Sequence, residues 1–232
     1  MCSRYFIIVK IVFLKSNLIQ MLHIKSFAFN PFSENTYIVF NDEKNAFIID
    51  PGNFTDAETV ALQGFITENQ LKIQNILLTH AHIDHVLGLQ KMHDFYKVPV
   101  LMHELDKEIL DRNPMSARQF GFFFQPFEGE IKYLKENETV KLDEDELKIL
   151  HVPGHSPGSI AYYSEAGKLI ISGDVLFEGS IGRTDLYKGN HEQLIESIQT
   201  KLFVLNDETK VYSGHGNPTI IGFEKNYNPF FK

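Results

Sequence analysis

A chain of 232 residues, 43% hydrophobic and 22% charged, has the length and composition of one large globular domain with a sizeable core. Its formal net charge of −8 argues against a general grip on nucleic acid, which needs clustered lysine and arginine against phosphate, while leaving room for a local cationic pocket. One cysteine, Cys2, excludes an intramolecular disulfide and points to a reducing, cytoplasmic setting.

Residues 1–20 stand apart from the rest. Their apolar runs at 5–9 and 11–14 are split by Lys10, too short together to span a bilayer, and followed by no small-residue cleavage site. They read as a loosely ordered N-terminal extension, with a single domain over 21–232 and no membrane span. Strands are expected at 36–40 and 46–50, joined by the polar turn 41–45 and ended by Asp50-Pro51-Gly52. Thr55-Asp56-Ala57-Glu58 is a capping box that opens a helix reaching about residue 69. A largely apolar strand follows at 73–78, then a histidine-rich turn, and then a helix through Tyr96. Residues 98–102 read as a strand and 104–111 as a short helix. The stretch 112–138 reads as irregular, with Phe120, Phe122, Phe123, Phe124 and Phe127 either walling a pocket or packing into the core. Strands resume at 147–152, 160–164 and 168–172. Asn190 caps a helix with Leu194, Ile198, Leu202 and Leu205 on one side, 211–213 is a last strand, and 219–226 a short helix. Consecutive strands in pairs suggest a layered α/β fold other than a simple doubly wound sheet.

The chemistry is concentrated at strand ends. Thr79-His80-Ala81-His82-Ile83-Asp84-His85 sets three imidazoles and a carboxylate directly after an apolar run, and His155, Asp174 and His215 stand alone in glycine-flanked turns. This donor set suits zinc, iron or manganese. His23, His93, His103, His151 and His191 lack such a setting and read as surface or packing residues. His151, close to His155 at a strand end, is the one that stays open.

Taken together, the HxHxDH run at 80–85, Pro153-Gly154-His155-Ser156-Pro157-Gly158, Ser172-Gly173-Asp174 and Gly214-His215-Gly216 resemble the metallo-β-lactamase superfamily over 21–232. The resemblance implies an αββα sandwich, two mixed sheets flanked by helices. It also implies two divalent cations, zinc first and iron or manganese as alternatives. One would be held by His80, His82 and His155, the other by Asp84, His85 and His215, with Asp174 bridging. Two neighbouring cations lower the pKa of a shared water and stabilise the oxyanion formed at a carbonyl, and Asp84 can orient that nucleophile as the catalytic carboxylate.

Residues 173–186, with Gly182-Arg183-Thr184-Asp185, look like the small hydroxyacylglutathione hydrolase (glyoxalase II) group, in which a basic residue at the position of Arg183 contacts the glutathione carboxylate. The competing reading of Arg183 is an ion pair with Asp185. Larger glyoxalase II enzymes carry a further C-terminal helical region, whereas only a short tail follows the Gly214-His215-Gly216 segment here. The expected function is hydrolysis of a small thioester of the S-lactoylglutathione type, with no nucleic-acid partner. The alternative is a persulfide dioxygenase of the same superfamily, which uses one iron on the positions of His80, His155 and Asp174. Lactam hydrolysis fits less well, because the Arg183 segment does not look like those enzymes.

Overall fold

A computed structural model of the protein describes residues 22–232, so the expected extension over residues 1–20, and Cys2 with it, lies outside the described residues. The first sheet is built in chain order from β1 (His23–Phe29), β2 (Glu34–Phe40), β3 (Asn45–Ile49), β4 (Lys72–Leu77), β5 (Val100–His103) and β6 (Ile131–Leu134). Its first three strands are antiparallel neighbours, and β3 to β6 run parallel. The second sheet contains β7 (Thr139–Leu142), β8 (Asp145–His151), β9 (Ile160–Ser164) and β10 (Leu169–Gly173). A small hairpin of β11 (Leu176–Phe177) and β12 (Ser180–Ile181) follows, and then β13 (Lys210–Ser213) and β14 (Thr219–Ile220) complete the sheet in the order β14-β13-β10-β9-β8-β7.

Strand periodicity explains why the two sheets stack with helices outside. Along β3, Phe47 and Ile49 point toward the second sheet, while Ala46 and Ile48 point the other way, into the helices. Along β9, Ile160 and Tyr162 meet the first sheet and Ala161 faces out. Both faces of each central strand are therefore apolar, as a sheet buried on two sides requires. The outer face of the first sheet is covered by α1 (Asp56–Glu68), α3 (Leu89–Tyr96) and α4 (Lys107–Gln119), and that of the second by α5 (His191–Ser197) and α6 (Ile221–Tyr227). The result is a helix–sheet–sheet–helix sandwich of mixed sheets, as the resemblance implies. Among the described residues no helix is long and apolar enough to cross a membrane.

Several local expectations hold in detail. Thr55 Oγ1 accepts from Glu58 N at 3.2 Å and Glu58 Oε2 accepts from Thr55 N at 2.8 Å, closing the capping box. Asn190 Oδ1 accepts from Gln193 N at 3.0 Å, and Leu194, Ile198 and Leu202 are fully buried along α5 and the π-helical turn that continues it, while Leu205, expected on the same side, lies past the helical end and packs partly buried on the same core.

Others need correction. The helix after the histidines is broken in two, α2 (Ile83–Val86) and α3, and Gly88 between them lies against the Asn53 side chain, where any Cβ would collide. Residues 112–138 are far from wholly irregular. α4 continues to Gln119 with Pro114 inside it, and β6 lies further on. Burial of Ile109, Leu110, Asn113 and Ala117 along one face outweighs the helix-breaking tendency of the proline. β14 follows the strand expected to be last, occupying the first residues of the helix expected at 219–226.

The inter-sheet layer is closely packed, and Leu77 within it is fully buried. Leu77→Ala is expected to lower the unfolding free energy by about 3 kcal/mol in urea titrations. A loss below about 1 kcal/mol would mean that the layer is not packed as described.

Candidate metal centre

Every segment that carries a predicted ligand leaves a sheet at the same end. Asp50 follows β3 and His80 follows β4, two parallel neighbours. β8, β10 and β13 share one direction, since β9 is antiparallel to both β8 and β10, and β10 is parallel to β13. His155, Asp174 and His215 follow these three strands. The carboxyl ends of parallel strands are where open α/β sheets place their sites, because the loops there converge over a rigid floor.

The structure brings all seven predicted residues together. His155 Nε2 lies 2.8 Å from His82 Nδ1 and 3.2 Å from His80 Nε2, so these three imidazoles point at one spot. Asp84 Oδ2 lies 3.1 Å from His215 Nε2 and 3.6 Å from His85 Nε2, which makes a second group. Asp174 touches both, with Oδ2 3.6 Å from His155 Nε2 and 3.5 Å from His215 Nε2, and Oδ1 3.4 Å from His85 Nε2.

The partners of the far ring nitrogens fix which lone pairs face inward. His155 Nδ1 sits 2.7 Å from Arg183 O and His215 Nδ1 3.1 Å from Phe32 O. A carbonyl only accepts, so the ring proton is on Nδ1 in both, and Nε2 is free to bind a cation. His85 Nδ1 is likewise 3.0 Å from Asp50 Oδ2. Thr79 Oγ1 donates to Asp50 Oδ2 at 2.5 Å and lies 3.1 Å from His80 Nδ1, which donates to it in turn.

The electrostatics match a cation site. Burial, with His155 beside it, holds the His82 imidazole down to about 3, and burial and the neighbouring imidazoles keep His80 well below its usual range. Both are therefore neutral donors. Burial works against His215, yet its contacts with Asp174 and Asp84 carry it up to about 10. That end of the site draws positive charge, as a proton or as a metal ion. His85 Nε2 and Asp174 Oδ1 are buried polar atoms without a hydrogen-bond partner, a costly state that coordination would relieve. Gly214 packs its α-carbon over Asp174 Oδ1, where a Cβ would overlap the oxygen, so the glycine before His215 keeps the carboxylate in place. The donor set thus fits divalent cations.

A family description, the metallo-beta-lactamase superfamily, matches residues 29–215. The chain belongs to this superfamily. It is 41% identical over 201 residues to hydroxyacylglutathione hydrolase GloC of Haemophilus influenzae, covering 86% of this chain and 93% of that protein. Its fold is similar to the crystal structure of the B3 metallo-beta-lactamase BLEG-1, with a TM-score of 0.80 and 38% identity over 90% of this chain and 100% of that one. It is equally similar to TTHA1623 in a di-iron-bound form, with a TM-score of 0.80 and 35% identity over 89% and 99% of the respective chains.

In this member of the superfamily, several positioning residues escape a reading of the sequence. Asp50 holds the loop after β4 through Thr79 N at 2.7 Å and aims His85. An acid at the end of an apolar strand, before Pro51-Gly52, was the only available signal. Asp106, fully buried, accepts from Ala81 N at 2.8 Å, Ser156 Oγ at 2.9 Å and Gly158 N at 2.6 Å. It fastens the His80–His82 loop to the His155 loop. Asn113 of α4 donates to Ala81 O at 2.9 Å, so the peptide between the two histidines is held on both sides. The β2 residues Asn35 and Tyr37 donate to Ser213 O at 3.1 and 2.6 Å and hold the turn that carries His215. The open question over His151 is answered by geometry. It stacks on His103 at 4.2 Å between ring centroids and bonds Pro157 O, away from the ligand cluster.

Above the cluster opens a cleft of about 530 Å³, with Asp84, His155, Asp174 and His215 in its floor and Phe32, Phe120, Phe177 and Ile181 in its walls. The phenylalanine-rich stretch is divided. Phe120 lines the cleft, Phe124 is buried in the core and Phe127 packs on His93. Arg183 lies at the rim of the cleft, exposed, with Nε and one terminal nitrogen each 2.7 Å from an oxygen of Asp185.

Removing the Asp106 carboxylate leaves the Ala81 and Gly158 N–H groups buried without acceptors. Asp106→Ala is expected to cost about 3 kcal/mol of stability by urea denaturation. A change under about 1 kcal/mol would show that the two loops hold their positions without it.

Proposed function

We propose that the protein is a two-metal hydrolase that cleaves small thioesters of the S-lactoylglutathione type into a hydroxy acid and a thiol. The observation that carries this reading is the pair of filled donor sets in contact with one shared carboxylate, Asp174, beneath a cleft of small-molecule size. The identity with GloC, whose name states a hydroxyacylglutathione hydrolase, supports the choice of substrate class. Bound divalent cations would supply Lewis acidity, lowering the pKa of water and stabilising negative charge on a carbonyl oxygen. His80, His82 and His155 would hold one cation, Asp84, His85 and His215 the other, and Asp174 would touch both.

The chain's own residues supply the rest. Asp84 borders the cleft floor, where its carboxylate orients the attacking water and accepts its proton. Asp50 and Thr79 behind His85 and His80 keep those rings from turning as charge develops. Phe32, Phe120 and Phe177 wall the cleft with apolar surface that limits water beside the acyl group. The leaving group needs no strong general acid, since a thiol has a pKa of only about 8.5.

The likeness to BLEG-1 favours lactam hydrolysis as a second reading, because the same floor can attack a lactam carbonyl. A persulfide dioxygenase would use one iron on His80, His155 and Asp174, and would leave Asp84, His85 and His215 without a task.

Under anaerobic conditions the metal-replete protein is expected to release free thiol from S-lactoylglutathione in proportion to acid. Hydrolysis of a cephalosporin alone, or oxygen uptake with glutathione persulfide and no thioester turnover, would overturn the assignment. Asp84→Ala is expected to reduce turnover at least 100-fold, an order-of-magnitude figure for loss of a positioned acid–base group. A near-normal rate with the metals retained would remove Asp84 from the mechanism.

A further inference from the structure

The cleft does not end at the metal cluster. A second cavity of about 180 Å³ lies beside it, between α4 and the segment around Tyr187, and His82, Ser116, Gln119 and Leu186 border both spaces. Arg112, half-buried on α4, lines this cavity with its guanidinium 3.9 Å above the Tyr187 ring. Tyr187 is itself fixed, since its hydroxyl donates to Glu108 Oε1 at 2.6 Å while Lys188 pairs with the other oxygen of the same carboxylate.

The two arginines bordering these spaces differ in one respect. Arg183 spends its fork on Asp185. The guanidinium of Arg112 has neither an ion pair nor a hydrogen bond among the described residues; what faces it is the Tyr187 ring and, one turn earlier on α4, the charge of Glu108. A guanidinium stacked on an aromatic face leaves its edge donors pointing along the ring plane, in the geometry that accepts a carboxylate bidentately. With Glu108 already shared by Tyr187 and Lys188, these donors are available to a ligand.

We infer that Arg112, stacked on Tyr187, is the anchor for a substrate carboxylate that reaches the side cavity while the scissile carbonyl lies over the metal cluster. The inference rests on the thioester reading for its substrate class. The carboxylate can belong to the thiol half or to the acyl half of the substrate, and binding separates the two. S-methylglutathione, a thioether that cannot be hydrolysed, probes the first, and D-lactate the second.

Dissociation constants for both probes are to be measured by calorimetry on the metal-replete full chain. Arg112→Gln is expected to weaken one of them about tenfold or more, the usual consequence of losing a charge-assisted contact. Arg183→Gln should change the same constant less than about twofold, an order-of-magnitude expectation for an exposed, internally paired charge. Tyr187→Leu removes the platform but not the charge, and should give an intermediate loss. Unchanged affinity for both probes in Arg112→Gln, no binding of either probe by the unmodified protein, or a loss carried by Arg183→Gln would each overturn the proposal. Arg112-dependent binding without thioester turnover would instead sink the thioesterase reading and leave the anchor standing.

Discussion

The Asp174 carboxylate is enclosed by the imidazoles of His85, His155 and His215, and one of its oxygens is buried with no hydrogen-bond partner. Such a group is stable only where positive charge compensates it. Much of the structure can be understood as the means of supplying and holding that compensation. Histidines come from three loops, a glycine closes over the carboxylate, and carbonyls and carboxylates behind the rings keep their lone pairs aimed inward.

The sandwich makes this possible because two independently buried sheets end on the same side. Leu77 and Ile49 pack the inter-sheet layer directly beneath the loops that follow them. Tyr162, in the same layer, donates to Leu78 O just before the histidine run, tying the second sheet to the first at the base of the site. A rigid floor of this kind lets short loops position ligands without ordering costs at the moment of binding. Asp106 and Asn113 extend the scheme outward, so the segment that brings the cleft wall, α4, also holds the peptide between His80 and His82.

Much of this was legible in the sequence because the signals are local. His80, His82, Asp84 and His85 lie within one turn, the isolated ligands sit in glycine turns, and Thr55 and Glu58 cap a helix three residues apart. Short apolar runs bounded by turn residues marked the inner strands, whereas Lys132 interrupts the run in β6 and β14 has only two residues. Asp50 and Asp106 were not legible as positioning groups, because their roles exist only through partners 25 to 52 positions away. Neither was the course of α4 past Pro114, which tertiary burial decides, nor the separation of Phe120 from Phe124, which depends on the direction each ring takes. Arg183 stood out by its motif, while Arg112 stood in no motif at all. Its setting appears only when α4 lies against Tyr187.

Two donor sets meet at the one carboxylate of Asp174, and the metal content of the protein tests that shared centre most directly. Native mass spectrometry after metal-replete purification is predicted to find about two divalent cations per chain, with Asp174→Asn retaining fewer. One cation or none in the unmodified protein would contradict a shared dinuclear centre.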